Sequence, residues 1–298
     1  MMFTLPKPSD AFRWVQLPPF DEAQGRPALV CDALTPFAAH FFTTREWKLG
    51  APAATEAGWI EVAEAAGVEL SRLGRLRQVH GAAAVALRSG AGLTTREEGD
   101  LDEADIILTN DAARAVTIRV ADCLPILVVD RATRSVAAAH AGWRGLASRV
   151  PFVTIERLAA EFGSRPADLL VAIGPSIGAC CYEVGEDVRA RFAGFGAAEL
   201  ERWFAVHPSV SAGNPPVATL SSTRRTGHWF FDGWQCARDQ LKAAGVPSDQ
   251  IFVAELCTAS HGGAFCSYRR DGAGAAGRMV GVISPGPLPR SPGDPRAR

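Results

Sequence analysis

The chain has 298 residues, 47% of them hydrophobic and 21% charged, with a formal net charge of -1 and no run of five or six like charges. That composition suits a globular protein and excludes nucleic-acid binding through a broad basic face, while a small anionic substrate needs only one or two arginines. No apolar run is long enough to cross a bilayer. The N-terminal "MMFTLPKPSDAFRWV" has no apolar signal core, so the protein is expected in the cytoplasm with its thiols reduced.

In chain order, residues 1–35 are dotted with proline and weakly periodic, and are expected to be an extended N-terminal segment. "AHFFTTR" (39–45) is predicted to be a strand. "ATEAGWIEVAEAAGV" (54–68) is a predicted helix ending at Gly67. "RLRQVHG" (75–81) and "AAVALR" (83–88) are predicted strands on either side of Gly81. The Ile- and Val-rich segments 104–110, 115–123 and 125–130 are further strands, and "SVAAAH" (135–140) follows across a polar turn. A helix then runs to about Phe162, because Ile155, Leu158, Ala159 and Phe162 recur at helical spacing. Pro151 fits that helix only in its first turn, where its missing N–H does no harm. A strand is predicted at 168–175 and helices at 186–194 and 232–244, the second closed by Gly245. Strands at 251–256 and 278–284 complete the pattern. The tail from 285, with five prolines, is expected to be disordered. The expectation is an α/β protein, a layered sandwich with a mixed β-sheet flanked by helices, with a single catalytic domain over residues 36–284.

Seven cysteines, an odd number, make a poor disulfide framework. Most should pack as small apolar residues, including the adjacent Cys180 and Cys181, which lack the Cys-x-x-Cys spacing of a redox pair. Among the six histidines, His80 closes "RQVHG" and His140 closes "AAAHAGWRG", while Cys123 interrupts "RVADCLPIL". All three are at strand ends or breaks, where polar side chains can converge at the edge of a sheet. Two imidazoles and a thiolate suit zinc and would leave a fourth place open, as in catalytic sites. The alternative is three separate core residues, each histidine satisfied by a backbone carbonyl. Arg144 and Arg149 could face an anionic group or be ordinary surface charges. Arg269 and Arg270, adjacent in "SYRRDG", would point opposite ways on a strand, so at most one could enter a pocket. "AIGPSIGACCYEVG" (172–185) could wrap backbone N–H groups around an anion, or be a packed turn. Asp122 could orient a ligand, move a proton, or hold a local turn.

"RQVHG", "RVADCLPIL", "AAAHAGWRG", "AIGPSIGACCYEVG" and "CSYRRDG…GR" together resemble the signature blocks of the YfiH family, in family order over residues 78 to 278. That family has been described as multicopper polyphenol oxidase or laccase, as purine nucleoside phosphorylase and as peptidoglycan editing factor. The resemblance implies a layered α/β/α fold shared with cysteine hydrolases like cytotoxic necrotising factor. It implies that His80, Cys123 and His140 bind metal and act in catalysis; beside them Asp122 is a further candidate catalytic residue, and Arg144, Arg45, Tyr182 and Arg269 are candidate substrate contacts. The N-terminal block departs from the family pattern: "FFTTREWKLG" keeps Thr44 and Arg45 but lacks the usual Gly-Gly-Val-Ser turn, which alters this rim of the pocket. Gly142 and Gly145 would let the chain turn from the metal into a helix whose N–H dipoles favour an anion near Arg144.

A blue multicopper oxidase needs a trinuclear cluster fed by His-x-His pairs, and this chain has none, which argues against that chemistry. Copper is expected only as an adventitious ion, with zinc as the cofactor. The leading expectation is phosphorolysis of adenosine, inosine or guanosine, with phosphate and a small-molecule nucleoside as ligands. Deamination of adenosine could use the same metal. The second expectation is an editing amidase that removes L-serine wrongly built into a muramyl precursor, with Cys123 as ligand or as nucleophile beside His80 or His140. A non-enzymatic binding domain is a third class. No nucleic-acid or membrane partner is expected, and the chain is expected to be a monomer.

Overall fold

The computed structural model describes residues 5–21, 24–47, 49, 56–90, 101–221, 225–272 and 277–286. The predicted disordered tail lies outside the described residues from 287 onward, as do the first two positions of the predicted 54–68 helix.

The N-terminal strands β1 (Phe12–Asp21) and β2 (Gln24–Cys31) form an antiparallel hairpin, with Phe12 opposite Cys31. They continue into β3 (Ala38–Thr43), α1 (Glu56–Ala66), the two-residue β4 (Leu73–Gly74), β5 (Ala84–Leu87) and β6 (Ile106–Thr109). Next come β7 (Ala115–Val120), β8 (Leu124–Asp130) and β9 (Val136–Ala141), followed by α2 (Trp143–Ala147), α3 (Val150–Phe162) and β10 (Leu169–Ile173). Short pieces follow: β11 (Glu183–Gly185), α4 (Glu186–Arg189), α5 (Ala197–Trp203), β12 (Phe204–Ala205), α6 (Ala218–Ser221) and β13 (His228–Phe231). The chain ends its described course with α7 (Gly233–Ala243), β14 (Ile251–Val253), α8 (Tyr268–Asp271) and β15 (Met279–Pro285).

These strands build two six-stranded mixed sheets, in the orders β1-β2-β3-β15-β7-β4 and β14-β10-β8-β9-β6-β5, and a small sheet β11-β13-β12. The two large sheets stack face to face. Alternate side chains of a strand point to opposite faces. In β8, Leu124, Ile126 and Val128 therefore pack with α3 and α7, while Leu127 and Val129 pack with Val116, Ile118 and Ile283 of the other sheet. The outer face of that other sheet is covered by Trp59, Val62 and Ala63 of α1, against Val280 and Val282. The layered sandwich of mixed sheets flanked by helices is thus observed, and its middle is two sheets deep. Burial on both faces is why β8 and β9 read as continuous apolar runs.

Three local expectations are corrected. Residues 75–81 are not a strand: apart from an isolated bridge between Arg77 and Glu103, the segment is irregular. It is tied down instead by Gln78, whose side-chain amide donates to the Arg119 carbonyl at 2.8 Å and accepts from the Arg119 N–H at 2.7 Å. The helix expected to end at Phe162 with Pro151 in its first turn is α3, separated from the short α2 by Arg149 at φ 60°, and what differs is its buried face. Its buried face is Val150, Pro151, Thr154, Ile155 and Leu158, while Ala159 faces solvent. Pro151 does sit in the first turn of α3, and Gly163, at φ 71°, closes it. Lastly, "SYRRDG" forms the short helix α8, capped by Ser267 through the Arg270 N–H, so Arg269 and Arg270 are not alternating strand residues.

Candidate metal centre

Antiparallel β8 and β9 lie side by side, with Pro125 opposite His140. Cys123 precedes β8 and His140 is the penultimate residue of β9, so the two side chains meet at one end of the sheet. His80 reaches the same place from the irregular 75–81 segment. The ligand atoms of His80, Cys123 and His140 all lie within 4.8 Å of one another. The two imidazole rings meet edge to face, with centroids 4.8 Å apart. His140 is buried, Cys123 half-buried and His80 exposed, so the cluster has an inner wall and an open side. Gly142 is required here: a Cβ at that position would come within 2.7 Å of Cys123 Sγ.

The cluster is organised from behind by Asp105, a fully buried residue just before β6 that sequence reasoning missed. Its carboxylate accepts a hydrogen bond from His140 Nδ1 at 2.7 Å and from the backbone N–H groups of Val79, His80 and Gly81 at 3.2, 3.0 and 2.7 Å. The first contact leaves His140 Nε2 for Cys123 or a metal, an arrangement common behind metal-bound histidines. The other three hold His80 at φ 61°, an unfavourable conformation for a non-glycine residue. The signal available in the sequence was an aspartate at the mouth of an apolar strand, "EADIIL".

Burial by itself would raise the Cys123 thiol, yet the neighbouring His140 and His80 imidazoles bring it down to about 6. Burial likewise opposes charge on His140, and Cys123 and Asp105 outweigh it, lifting the imidazole to about 9. Burial opposes charge on Asp105 too, but the hydrogen bond from His140 holds its carboxyl below the usual range. The donor set is therefore a thiolate among imidazoles, oriented by a carboxylate. Soft sulfur plus borderline nitrogen, in three places with a fourth side open, fits a zinc-like ion.

Asp122 is buried at φ 90° and does not point its carboxylate into this cluster. The carboxylate accepts from the Thr258 hydroxyl at 2.5 Å and from the Arg269 N–H at 2.7 Å, and the Asp122 carbonyl accepts from the Ile177 N–H at 2.9 Å. It joins the loop ahead of Cys123 to two distant segments. Arg269 lies over the Tyr182 ring, 4.8 Å from its centroid, and donates to the Glu183 carbonyl at 2.6 Å. Burial pushes the Tyr182 phenol up, and Cys123, Arg269, Asp122 and Arg144 all act on it electrostatically. Arg144 is exposed, its guanidinium 4.3 Å from the Trp143 ring centroid. Arg45 is also exposed and donates to the Gly262 carbonyl, so its contacts lie with the 262–264 loop. The expected helix dipole at Arg144 is reduced, because α2 has five residues and the 13-residue α3 starts afresh beyond Arg149. Peptide dipoles sum only along one unbroken helix.

A family model described as multi-copper polyphenol oxidoreductase laccase matches residues 50–285. The chain belongs to this family. A purine nucleoside phosphorylase of Bacteroides thetaiotaomicron is 34% identical over 60% of this chain and 60% of its own length. The Escherichia coli purine nucleoside phosphorylase YfiH is 34% identical over 70% of this chain and 72% of its own, and a Deinococcus radiodurans purine nucleoside phosphorylase is 33% identical over 78% and 76%. Among solved structures, YlmD from Geobacillus stearothermophilus superposes with a TM-score of 0.71 at 28% identity, covering 87% of this chain and 96% of that one. A Bacillus licheniformis YfiH superposes with a TM-score of 0.74 at 24% identity over the same shares, a likeness of fold.

The copper-oxidase description of the family meets a limited donor set in this member. His40 has both ring nitrogens on backbone groups, the Cys31 N–H at 2.9 Å and the Ala38 carbonyl at 3.0 Å. His261 is bonded to the Gly213 carbonyl, His228 to that of Thr226, and His207 is exposed. Among the described residues, no group of three histidines converges as a trinuclear copper centre requires.

Proposed function

We propose that this protein is a metal-dependent purine nucleoside phosphorylase, with His80, Cys123 and His140 holding a zinc-like ion. The observation that carries this reading is the convergence of those three donors on an open face, with Asp105 behind them and with Cys123, Arg144 and Arg269 all within electrostatic reach of the Tyr182 phenol. The names of the relatives support a purine nucleoside as the substrate class. When bound, the ion supplies a Lewis acid to the reacting group. The chain's own residues do the rest. Arg144 attracts phosphate to the open side and holds it near the glycosidic carbon, where positive charge develops as the base departs. Tyr182 and Arg269 form one wall against which a planar base can rest. Asp122 keeps that wall in register with Cys123 through Thr258 and the Arg269 N–H. Arg45 would act at the 262–264 rim.

The test is release of hypoxanthine from inosine as a function of phosphate. Phosphate-dependent release that disappears in Cys123→Ala and His140→Ala variants supports the reading; release that ignores phosphate, or none, overturns it. Ammonia from adenosine in the same assay would report deamination at the same centre.

One observation favours a second reading. Cys123, His140 and Asp105 are aligned as thiolate, imidazole and carboxylate, the order of a nucleophile, its base and an orienting group. An editing amidase acting on a muramyl precursor would use this alignment with no ion on the sulfur. Release of free serine by metal-stripped protein would favour it over phosphorolysis.

A further inference from the structure

A second convergence of side chains lies apart from the site just described. Cys180 and Cys181, at the end of the Gly-Pro-rich loop after β10, meet Cys257 from the segment after β14, and the three sulfurs lie within 4.8 Å of one another. All three residues are free and buried, at 1%, 0% and 0% exposure. Their surroundings are apolar: Ile177, Ala259, Val217, Leu220 and Trp234. Backbone donors point at the sulfur atoms, the Gly178 N–H at Cys257 Sγ (3.3 Å) and the Val217 N–H at Cys181 Sγ (3.4 Å). Ser260 Oγ stands 3.5 Å from Cys180 Sγ and 3.6 Å from Cys181 Sγ, and gives its proton to the Pro215 carbonyl at 2.8 Å. Its lone pairs therefore face the thiols.

We infer that Cys180, Cys181 and Cys257 form a second, structural metal site that binds a thiophilic divalent d10 cation of the zinc class. Tetrahedral zinc with Zn–S bonds of about 2.3 Å sets its sulfurs about 3.8 Å apart, a contraction of at most about 1 Å from the observed spread. Hydrogen bonds from N–H groups to sulfur favour the thiolate form that a metal requires. Among apolar neighbours the residual charge decides the valence. Three thiolates around a divalent ion leave one negative charge, which the Gly178 and Val217 donors offset, whereas a monovalent ion would leave two. Binding displaces up to three thiol protons to solvent, and no electron is transferred. Ser260 Oγ is placed to fill the fourth position, so the site would be closed, unlike the open His80–Cys123–His140 set. The ion would clamp the loop that carries Tyr182 to the segment that carries Thr258, the partner of Asp122.

The test uses full-length Cys123→Ala protein, which lacks the thiolate of the other centre, reduced and titrated anaerobically with Cd2+ as a spectroscopic substitute for zinc. The expected result is uptake of about one equivalent that survives gel filtration, with strong ultraviolet sulfur-to-cadmium charge-transfer absorption. That absorption should be lost on adding Cys257→Ser, or Cys180→Ser if the first variant fails to fold. Absence of thiolate–cadmium absorption in folded Cys123→Ala protein overturns the inference. So does absorption that persists undiminished in the second variant. Failure of phosphorolysis leaves this result untouched, because the readout is metal uptake at other residues.

Discussion

Asp105 binds four groups at once, the His140 ring and three successive backbone N–H groups ending at Gly81. Replacing it by Asn keeps the size, removes the charge and puts an NH2 against donors that need an acceptor. Asp105→Asn should lower metal affinity and activity by about 10–100-fold, measured by competition with a chromogenic chelator and by steady-state rates. An unchanged affinity would remove Asp105 from the site. Gly142→Ala tests the same cluster sterically. The new methyl would stand 2.7 Å from Cys123 Sγ and 3.4 Å from His80 Cδ2, so the thiol must shift. The expected outcome is loss of metal binding with the thermal transition retained, since the damage is confined to the ligand geometry. Neither residue carries a chemical signature in the sequence. An aspartate and a glycine are common at strand ends, and only the folded chain shows which ones face the histidines.

At the scale of elements, the helices were the most legible part. The 232–244 pattern becomes α7, whose buried Gly233, Cys236, Ala237, Gln240 and Leu241 recur every three or four residues. Asp232 caps it, accepting from the Gln235 N–H at 2.9 Å. Asp232→Ala should therefore cost about 1 kcal/mol of stability, read from urea midpoints at constant slope. No loss would mean that the cap is replaced by water. The 75–81 segment was misread as a strand because its side chains look like one, while the N–H groups of Val79, His80 and Gly81 are bonded to the Asp105 carboxylate instead of a ladder, and the Gln78 side chain ties the segment to the Arg119 backbone. The separate α2 ahead of Arg149 was not read from the sequence, and the backbone reverses hand for one residue between it and α3.

For the whole molecule, the stacked sheets bury His40 completely in β3. Burial holds its imidazole down at about 4, well under the ordinary 6.5, against weaker help from its two backbone partners. The sign follows from where the protons go. As pH falls below about 6.5 the unfolded chain takes up a proton that the folded one refuses, so the stability is intact above 6.5 and lost as pH falls towards 4. The full loss is about 3 kcal/mol. Denaturant midpoints between pH 7 and 4 should fall more steeply for the wild type than for His40→Gln, and parallel curves would show that His40 does not titrate in this way. The same stacking explains why one mixed sheet was expected where two occur. Strands buried on both faces look alike whether a helix or another sheet covers them.

The amino-acid sequence by itself determined the α/β class, most strand positions and the helices at 150–162 and 233–243, and it singled out His80, Cys123 and His140 as candidate ligands. Periodicity and ligand type are local properties, and the ordered blocks around the donors added the family. Tertiary structure alone decided that Asp105 stands behind His140, that Asp122 turns its carboxylate to Thr258 and the Arg269 N–H, and that Cys257 joins Cys180 and Cys181. Those contacts cross 35 residues of chain for Asp105, 136 and 147 for Asp122, and 77 and 76 for Cys257. Local patterning carries no record of such distances, because they are set by which strands lie beside one another and which loops close over their ends.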